Sequence, residues 1–230
     1  MGNFFLPLDQ AARKNAADTV EHLLSDNGLK IITCRELPVD LDAIEPRGKH
    51  LQLPIFQWIF ARADSSTNSD FESKIYSTLT KIESHAYQDE SLEGLYPLSM
   101  SSRTQVLKGR LNSWELIPYF SDLSAPDHCI HTLFFHTRFS TNTDPHPSMA
   151  QPFRHMAHNG ELNTDKKNRL SENAIYRSKN KKIIRPRGQS DSCRLDQTLQ
   201  NRIYEDKLDI VSAVVSMMPP AWENDKNLPK

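Results

Sequence analysis

The order in which two apolar periods alternate along the chain limits its fold more than any other feature. From Asp9 to Asn27, Ala12, Ala16, Val20, Leu23 and Leu24 recur at helical spacing, with Asp9 placed to cap the start and Gly28 to stop the end. The pattern then changes. Lys30 to Leu37 alternates around Ile31, Ile32 and Thr33, and Leu51 to Ala63 carries Ile55, Phe56, Trp58, Ile59 and Phe60, so both segments predict strands. A helix follows from Ser69 or Asp70 through about His85, with Phe71, Ile75, Leu79 and Ile82 on one face. Leu95 to Ser101 and Thr104 to Lys108 read as paired strands around Ser102-Arg103. A short helix starting at Asn112 or Ser113 carries Trp114 through Tyr119.

The apolar run Ile130 to His136 predicts a buried strand that delivers Arg138 at its end. Pro145, Pro147 and Pro152 make 143–152 a loop, and Phe153 to Ala157 predicts a strand entering the Asn159-Gly160 turn. Polar helices are expected at about Asp165 to Ser178, Ser192 to Asn201 and Leu208 to Met217, before Pro219-Pro220. Strand groups followed by helices predict a layered α+β arrangement. Without repeats or a long linker, residues 1–230 are expected to form a single domain.

Composition excludes some classes of function. A formal net charge of -1 with 25% charged residues calls for neither nucleic acid nor a membrane as partner. No apolar run approaches the roughly 18 residues of a membrane helix. The start, Met-Gly-Asn-Phe-Phe-Leu-Pro, lacks the charged opening and long apolar stretch of a signal peptide. Cys34, Cys129 and Cys193 are too few and too scattered for a disulfide framework, which fits a reducing cytoplasm. Each reads as a small buried residue. His128 and His131 fall on opposite faces of a strand, as do His155 and His158, so their spacing does not build a metal site. The basic run from Lys166 to Arg187 lacks interleaved aromatics beyond Tyr176 and reads as solvated helix and loop.

Four side chains or backbone groups carry chemistry suited to an amino-acid amide. Arg138 offers a planar five-donor fork for a carboxylate, or a structural ion pair. Asn159 and the N–H of Gly160 are two donors for a developing oxyanion, or simply a hairpin turn. Asp191 is an acceptor for an ammonium group, or the cap of the following helix.

These residues lie in three segments: His136-Thr137-Arg138-Phe139-Ser140-Thr141-Asn142-Thr143, Ala157-His158-Asn159-Gly160-Glu161 and Gly188-Gln189-Ser190-Asp191-Ser192. Together they resemble the substrate-binding segments of the class II, N-terminal-nucleophile glutamine amidotransferase domain of the glutamate synthase large subunit. Asn3-Phe4-Phe5-Leu6-Pro7, Leu98-Ser99-Met100-Ser101-Ser102-Arg103-Thr104, Ala150-Gln151-Pro152-Phe153-Arg154 and Pro220-Ala221-Trp222-Glu223-Asn224-Asp225 extend the similarity, in the family's order, over nearly the whole chain. Two positions depart from it. Gln189 stands where the family usually has the second of two glycines, and Lys167-Asn168-Arg169-Leu170 replaces a tryptophan-bearing segment.

The resemblance implies a four-layer αββα sandwich, here incomplete at its N-terminus. It implies that Arg138, Phe139, Thr141 and Asp191 bind L-glutamine and that Asn159 and Gly160 form the oxyanion hole. The family's nucleophile, an N-terminal cysteine, is expected to be absent from this chain, which is then a glutamine-binding remainder, inactive alone. An interaction or regulatory module, or a fragment completed in trans, is the alternative. Flavin and iron–sulfur clusters belong to later portions of such enzymes, so none is expected here. The partners implied are L-glutamine and the remaining glutamate synthase domains or another polypeptide. Exposed sheet edges predict self-association.

Overall fold

The computed structural model describes residues 1–64, 67–137, 146, 149–160, 165–185 and 189–218. They form two compact units, one of Met1–His158 with Ile184–Gln189, the other of Asn159–Ile183 with the residues from Ser190 onward. Together the described residues hold seven α-helices and one antiparallel sheet.

The sheet belongs to the first unit. Its strands are β1 (Gly2–Phe5), β2 (Leu29–Glu36), β3 (Ile55–Arg62) and β4 (Tyr96–Met100), in the order β2-β3-β1-β4. The central β1, fully buried, pairs Gly2 with Trp58 and Phe5 with Ile55 on one side, and Gly2 with Met100 on the other. The short apolar Gly-Asn-Phe-Phe segment has too few alternations to announce a strand, and its neighbours supply both ladders.

Two helices cover one face. Helix α1 (Gln10–Asp26) starts where Asp9 accepts from the Ala12 N–H at 2.8 Å and ends before Gly28, whose φ of +70° is one that glycine adopts without strain. Helix α3 (Asn68–Gln88) is capped by Thr67, not by the expected Ser69 or Asp70. Their apolar stripes, Ala16, Val20 and Leu24 with Phe71, Ile75, Leu79 and Ile82, close over Phe4, Trp58, Phe60 and Met100. Phe4 meets Trp58 edge-on at 5.3 Å. On the opposite face Phe5, Ile55 and Leu98 pack against Leu37, Ile44, Val106, Tyr119 and Phe120. The short helices α2 (Pro46–Lys49) and α4 (Leu116–Tyr119) lie within the segments that contribute these residues.

Four expectations change here. Thr104 to Lys108 is not a strand, because polar side chains on the sheet capture its backbone. Ser99 Oγ accepts from the Val106 N–H at 2.9 Å, and Asn3 Nδ2 donates to the Val106 carbonyl at 3.1 Å. Helix α4 begins at Leu116, since the Glu115 carboxylate turns back to accept from the Asn112 N–H at 2.6 Å and leaves Trp114 exposed. Ile130 to His136 is neither a strand nor buried: Phe134 is 71% and Phe135 64% exposed. A continuous apolar run forms a strand only with a ladder partner and both faces covered, and no described strand pairs with it. Phe153 to Ala157 is a tight turn, with the Phe153 N–H donating to the Met156 carbonyl at 2.9 Å.

The second unit contains α5 (Asp165–Ser178), α6 (Asp191–Tyr204) and α7 (Ile210–Met217), each close to its expected span. Glu172, the eighth residue of α5, bonds Thr198, the eighth of α6. Lys179, just past the end of α5, pairs with Asp206, just past the end of α6, at 2.7 Å. Equal depths along both helices mean that α5 and α6 run in the same direction, with their N-termini at one end.

Candidate functional site

Asn159 and Gly160 follow a segment clamped onto the first unit. Arg154 Nη2 donates to Glu83 Oε1 at 2.7 Å and to the Pro97 carbonyl at 2.7 Å. Burial alone would lower the pKa of the Arg154 guanidinium. The Glu83 carboxylate, with Tyr87 and Tyr96, more than reverses this and raises it. Lys108, itself buried, donates to the Ala150 carbonyl at 2.6 Å and lies 4.9 Å over the Phe153 ring. The Gln151 side chain accepts from the His158 N–H at 2.6 Å. A buried ion pair, a buried lysine and an amide thus fix the last residues before the Asn-Gly pair. The partners of Arg154 and Lys108 are far away in the chain, and only the Gln-Pro-Phe-Arg segment itself offers a signal in the sequence.

Asn159 and Gly160 are both exposed. Among the described residues no strand flanks them. A Cβ built on Gly160 meets nothing within 4 Å. Five residues on, α5 begins.

Asp191 is the first residue of α6 and is exposed. The alternative capping role falls to Ser190, whose Oγ accepts from the Cys193 N–H at 3.2 Å. Among the described residues the Asp191 carboxylate accepts only from Ser192, from its N–H at 2.7 Å and its hydroxyl at 3.3 Å. A carboxylate in the first turn is favoured by the helix dipole and keeps lone pairs for a cation. Because α5 and α6 are parallel, Asp191 stands at the same end of the pair as the first residue of α5. Arg138, Phe139 and Thr141 lie outside the described residues.

The cysteines differ from expectation in two cases. Cys193 is buried, but Cys34 and Cys129 are exposed. Cys34 lies on β2, the outermost strand of the sheet among the described residues. Partial desolvation, then the Glu21 carboxylate, pushes its thiol up to about 11, so little thiolate forms at neutral pH. Among the described residues, no three His, Cys, Asp or Glu side chains gather as a metal-binding group. Among the same residues no helix is long and apolar enough to cross a membrane. Within the basic run, Lys179 and Lys181 pair with Asp206 and Glu205, both at 2.7 Å.

Comparison with known proteins covers the whole chain. The family described as glutamine amidotransferases class-II matches residues 1–230. The ferredoxin-dependent glutamate synthase of Oryza sativa subsp. japonica is 30% identical over 240 residues, covering 99% of this chain and 15% of that protein. The NADH glutamate synthase of Schizosaccharomyces pombe is 30% identical over 244 residues, covering 99% of this chain and 11% of that protein. That of Antithamnion sp., ferredoxin-dependent, is 32% identical over 218 residues, with 89% and 14% covered. The chain therefore spans about one-seventh or less of these relatives' length.

Proposed function

The chain belongs to the class-II glutamine amidotransferases, and we propose that its residues form the glutamine-recognising part of a glutaminase of glutamate synthase type. In this reading Arg138 holds the α-carboxylate with two parallel N–H donors, fixing direction as well as affinity. Asp191 accepts from the α-ammonium group, and Phe139 and Thr141 complete the substrate-binding set. The Asn159 side-chain amide and the Gly160 N–H donate to the oxyanion that forms as the amide carbon is attacked. The fold proposed for the complete domain is the four-layer αββα sandwich.

The observation that carries the reading is the parallel pairing of α5 and α6. It puts Asp191, relieved of capping by Ser190, at the end of the pair where α5 begins, five residues after Gly160, which supports the reading. Hydrolysis further needs a thiolate. It forms an S–C bond to the amide carbon, and the C–N bond breaks as ammonia leaves with the thiol proton. Water then releases glutamate from the thioester. None of the three cysteines suits this role: Cys34 holds its proton, Cys193 is buried against the helix start, and Cys129 follows no proposed substrate group. The 230 residues are therefore assigned binding without cleavage, the thiol and the ammonia-consuming chemistry being supplied from elsewhere. No flavin or iron–sulfur cluster is assigned to them. A reducing compartment, the cytoplasm in this reading, suits two exposed free thiols.

Calorimetric titration with L-glutamine tests the assignment. Binding is expected, and Arg138→Ala or Asp191→Asn should weaken it about tenfold or more, the cost of losing a charge-assisted contact. A chain that takes up no glutamine at millimolar concentration defeats the reading. Ammonia release that disappears in Cys193→Ala defeats the assignment of binding without cleavage.

A further inference from the structure

We propose that Glu172 is a positioning residue for this site: it locks α5 to α6 in the register that sets Asp191 level with the start of α5, five residues after Gly160. The inference rests on the glutamine-site reading above, and it concerns a residue that contacts no substrate.

Glu172 is 2% exposed and lies between the helices. Its Oε2 accepts from Thr198 Oγ1 at 3.0 Å and its Oε1 from Asn201 Nδ2 at 2.7 Å, and both donors are themselves buried. One carboxylate thus meets two successive turns of the facing helix. The buried set of α6 includes Asp196, Thr198, Gln200 and Asn201 beside Cys193, Leu195 and Leu199. Contacts between aliphatic chains tolerate a small slide of one helix along another, whereas two directional hydrogen bonds to one rigid carboxylate do not. A slip of one residue is about 1.5 Å and of one turn about 5.4 Å, so even the smaller slip breaks both bonds.

The lever arms are equal. Seven residues separate Glu172 from the first residue of α5, and seven separate Thr198 from Asp191. Each arm is about 10 Å of rigid helix, and the two run in the same direction. The register fixed at Glu172 is therefore transmitted to both N-termini. Beside Glu172, Arg202 donates to Ser171 Oγ at 3.2 Å, and towards the far end it donates to Asp206 at 2.9 Å, which also holds Lys179. The Lys179–Asp206 and Arg202–Asp206 ties are partly exposed and close the far ends, whereas Glu172 is buried in mid-helix.

The chemistry supplies a rescue variant. In Glu172→Gln the amide oxygen still accepts from Asn201, and the new NH2 group donates to Thr198 Oγ1. The Thr198 hydroxyl then gives its hydrogen to the Arg194 carbonyl, already 2.9 Å away. Glu172→Leu fills similar volume and keeps neither bond.

Two readouts on the full chain decide the matter: glutamine affinity by calorimetry, and the backbone amide NMR shifts of Gly160, Asp191 and Ser192. Glu172→Leu is expected to weaken glutamine binding about tenfold, as small displacements of binding groups do, and to move all three amides while those of α1 stay fixed. Glu172→Gln is expected to stay near wild type in both. The proposal is overturned if the leucine variant binds as wild type does, or if glutamine at 172 loses as much as leucine. If the wild-type chain binds no glutamine, the site reading fails, and the shifts alone judge the register: unmoved amides in Glu172→Leu overturn it, moved amides restored in Glu172→Gln sustain it. Should Glu172→Leu fail to fold, Asn201→Ala, which removes one donor, replaces it under the same criteria.

Discussion

At the scale of the residue, Arg154 is held by a contact that nothing nearby in the sequence announces. Its ion pair with Glu83 joins positions 71 residues apart, and both side chains are nearly buried, at 11% and 8% exposure. Removing one member of such a pair strands the other charge away from water, a loss of about 3–5 kcal/mol, whereas replacing both with apolar groups is often close to neutral. Arg154→Met is therefore expected to destabilise the chain by about that amount in urea unfolding, with Arg154→Met/Glu83→Leu recovering most of it. A single mutant within about 0.5 kcal/mol of wild type, the usual scatter of surface substitutions, contradicts the assignment. Asp191 illustrates the opposite case. Its residue type and its place before a polar helix are legible in the sequence, as is the alternative of a cap. Only the structure assigns the cap to Ser190, because neighbouring Ser and Asp compete for the same N–H groups.

Elements differ in how much of their own cause they contain. Helices α1, α5 and α7 lie near their expected spans because spacing, caps and stop signals sit within each segment. Strands depend on partners, so Thr104–Lys108, Ile130–His136 and Phe153–Ala157 read as strands yet form none, while β1, too short to signal itself, becomes the centre of the sheet. The end of the α5–α6 pair gives a pH test at this scale. Burial opposes ionisation of Asp206, but hydrogen bonds from Lys179 and Arg202, with their charges, hold its carboxyl below the usual carboxylate range. A folded-state pKa lower than the unfolded one contributes stability that is present above the unfolded pKa and is lost as pH falls through the folded value. Wild type should exceed Asp206→Asn by about 1 kcal/mol at neutral pH, a modest figure because the group is partly exposed. The gap should close below about pH 4. Urea unfolding at neutral and acid pH checks this, and a gap that persists at acid pH assigns the difference to packing instead.

For the whole molecule, the question is what covers the apolar surface that the described residues leave in water. Ile130, Leu133, Phe134 and Phe135 are exposed in one short segment of the first unit. In the second unit, Ala213 and Met217 are buried while Ile210, Val211, Val214 and Val215 of α7 face outward. Isolated exposed apolar residues need no explanation, but two such groups together favour association. The sheet edge formed by β2 is a poorer surface for it. A bulge leaves Ile32 without a ladder partner between Ile31 and Thr33, and Lys30, Arg35 and Glu36 line the strand, features that blunt edge-to-edge pairing. Self-association of the pure chain is therefore expected to run through the apolar segments, with a second copy as the partner. Light scattering should give a mass above that of one chain, falling towards the monomer in Phe134→Asp/Phe135→Asp, because a charge on each ring position makes burial in an interface costly. A wild-type chain that scatters as a monodisperse monomer sinks the expectation. An oligomer unchanged by the double substitution, but dispersed by Val211→Asp/Val215→Asp, transfers the contact to α7.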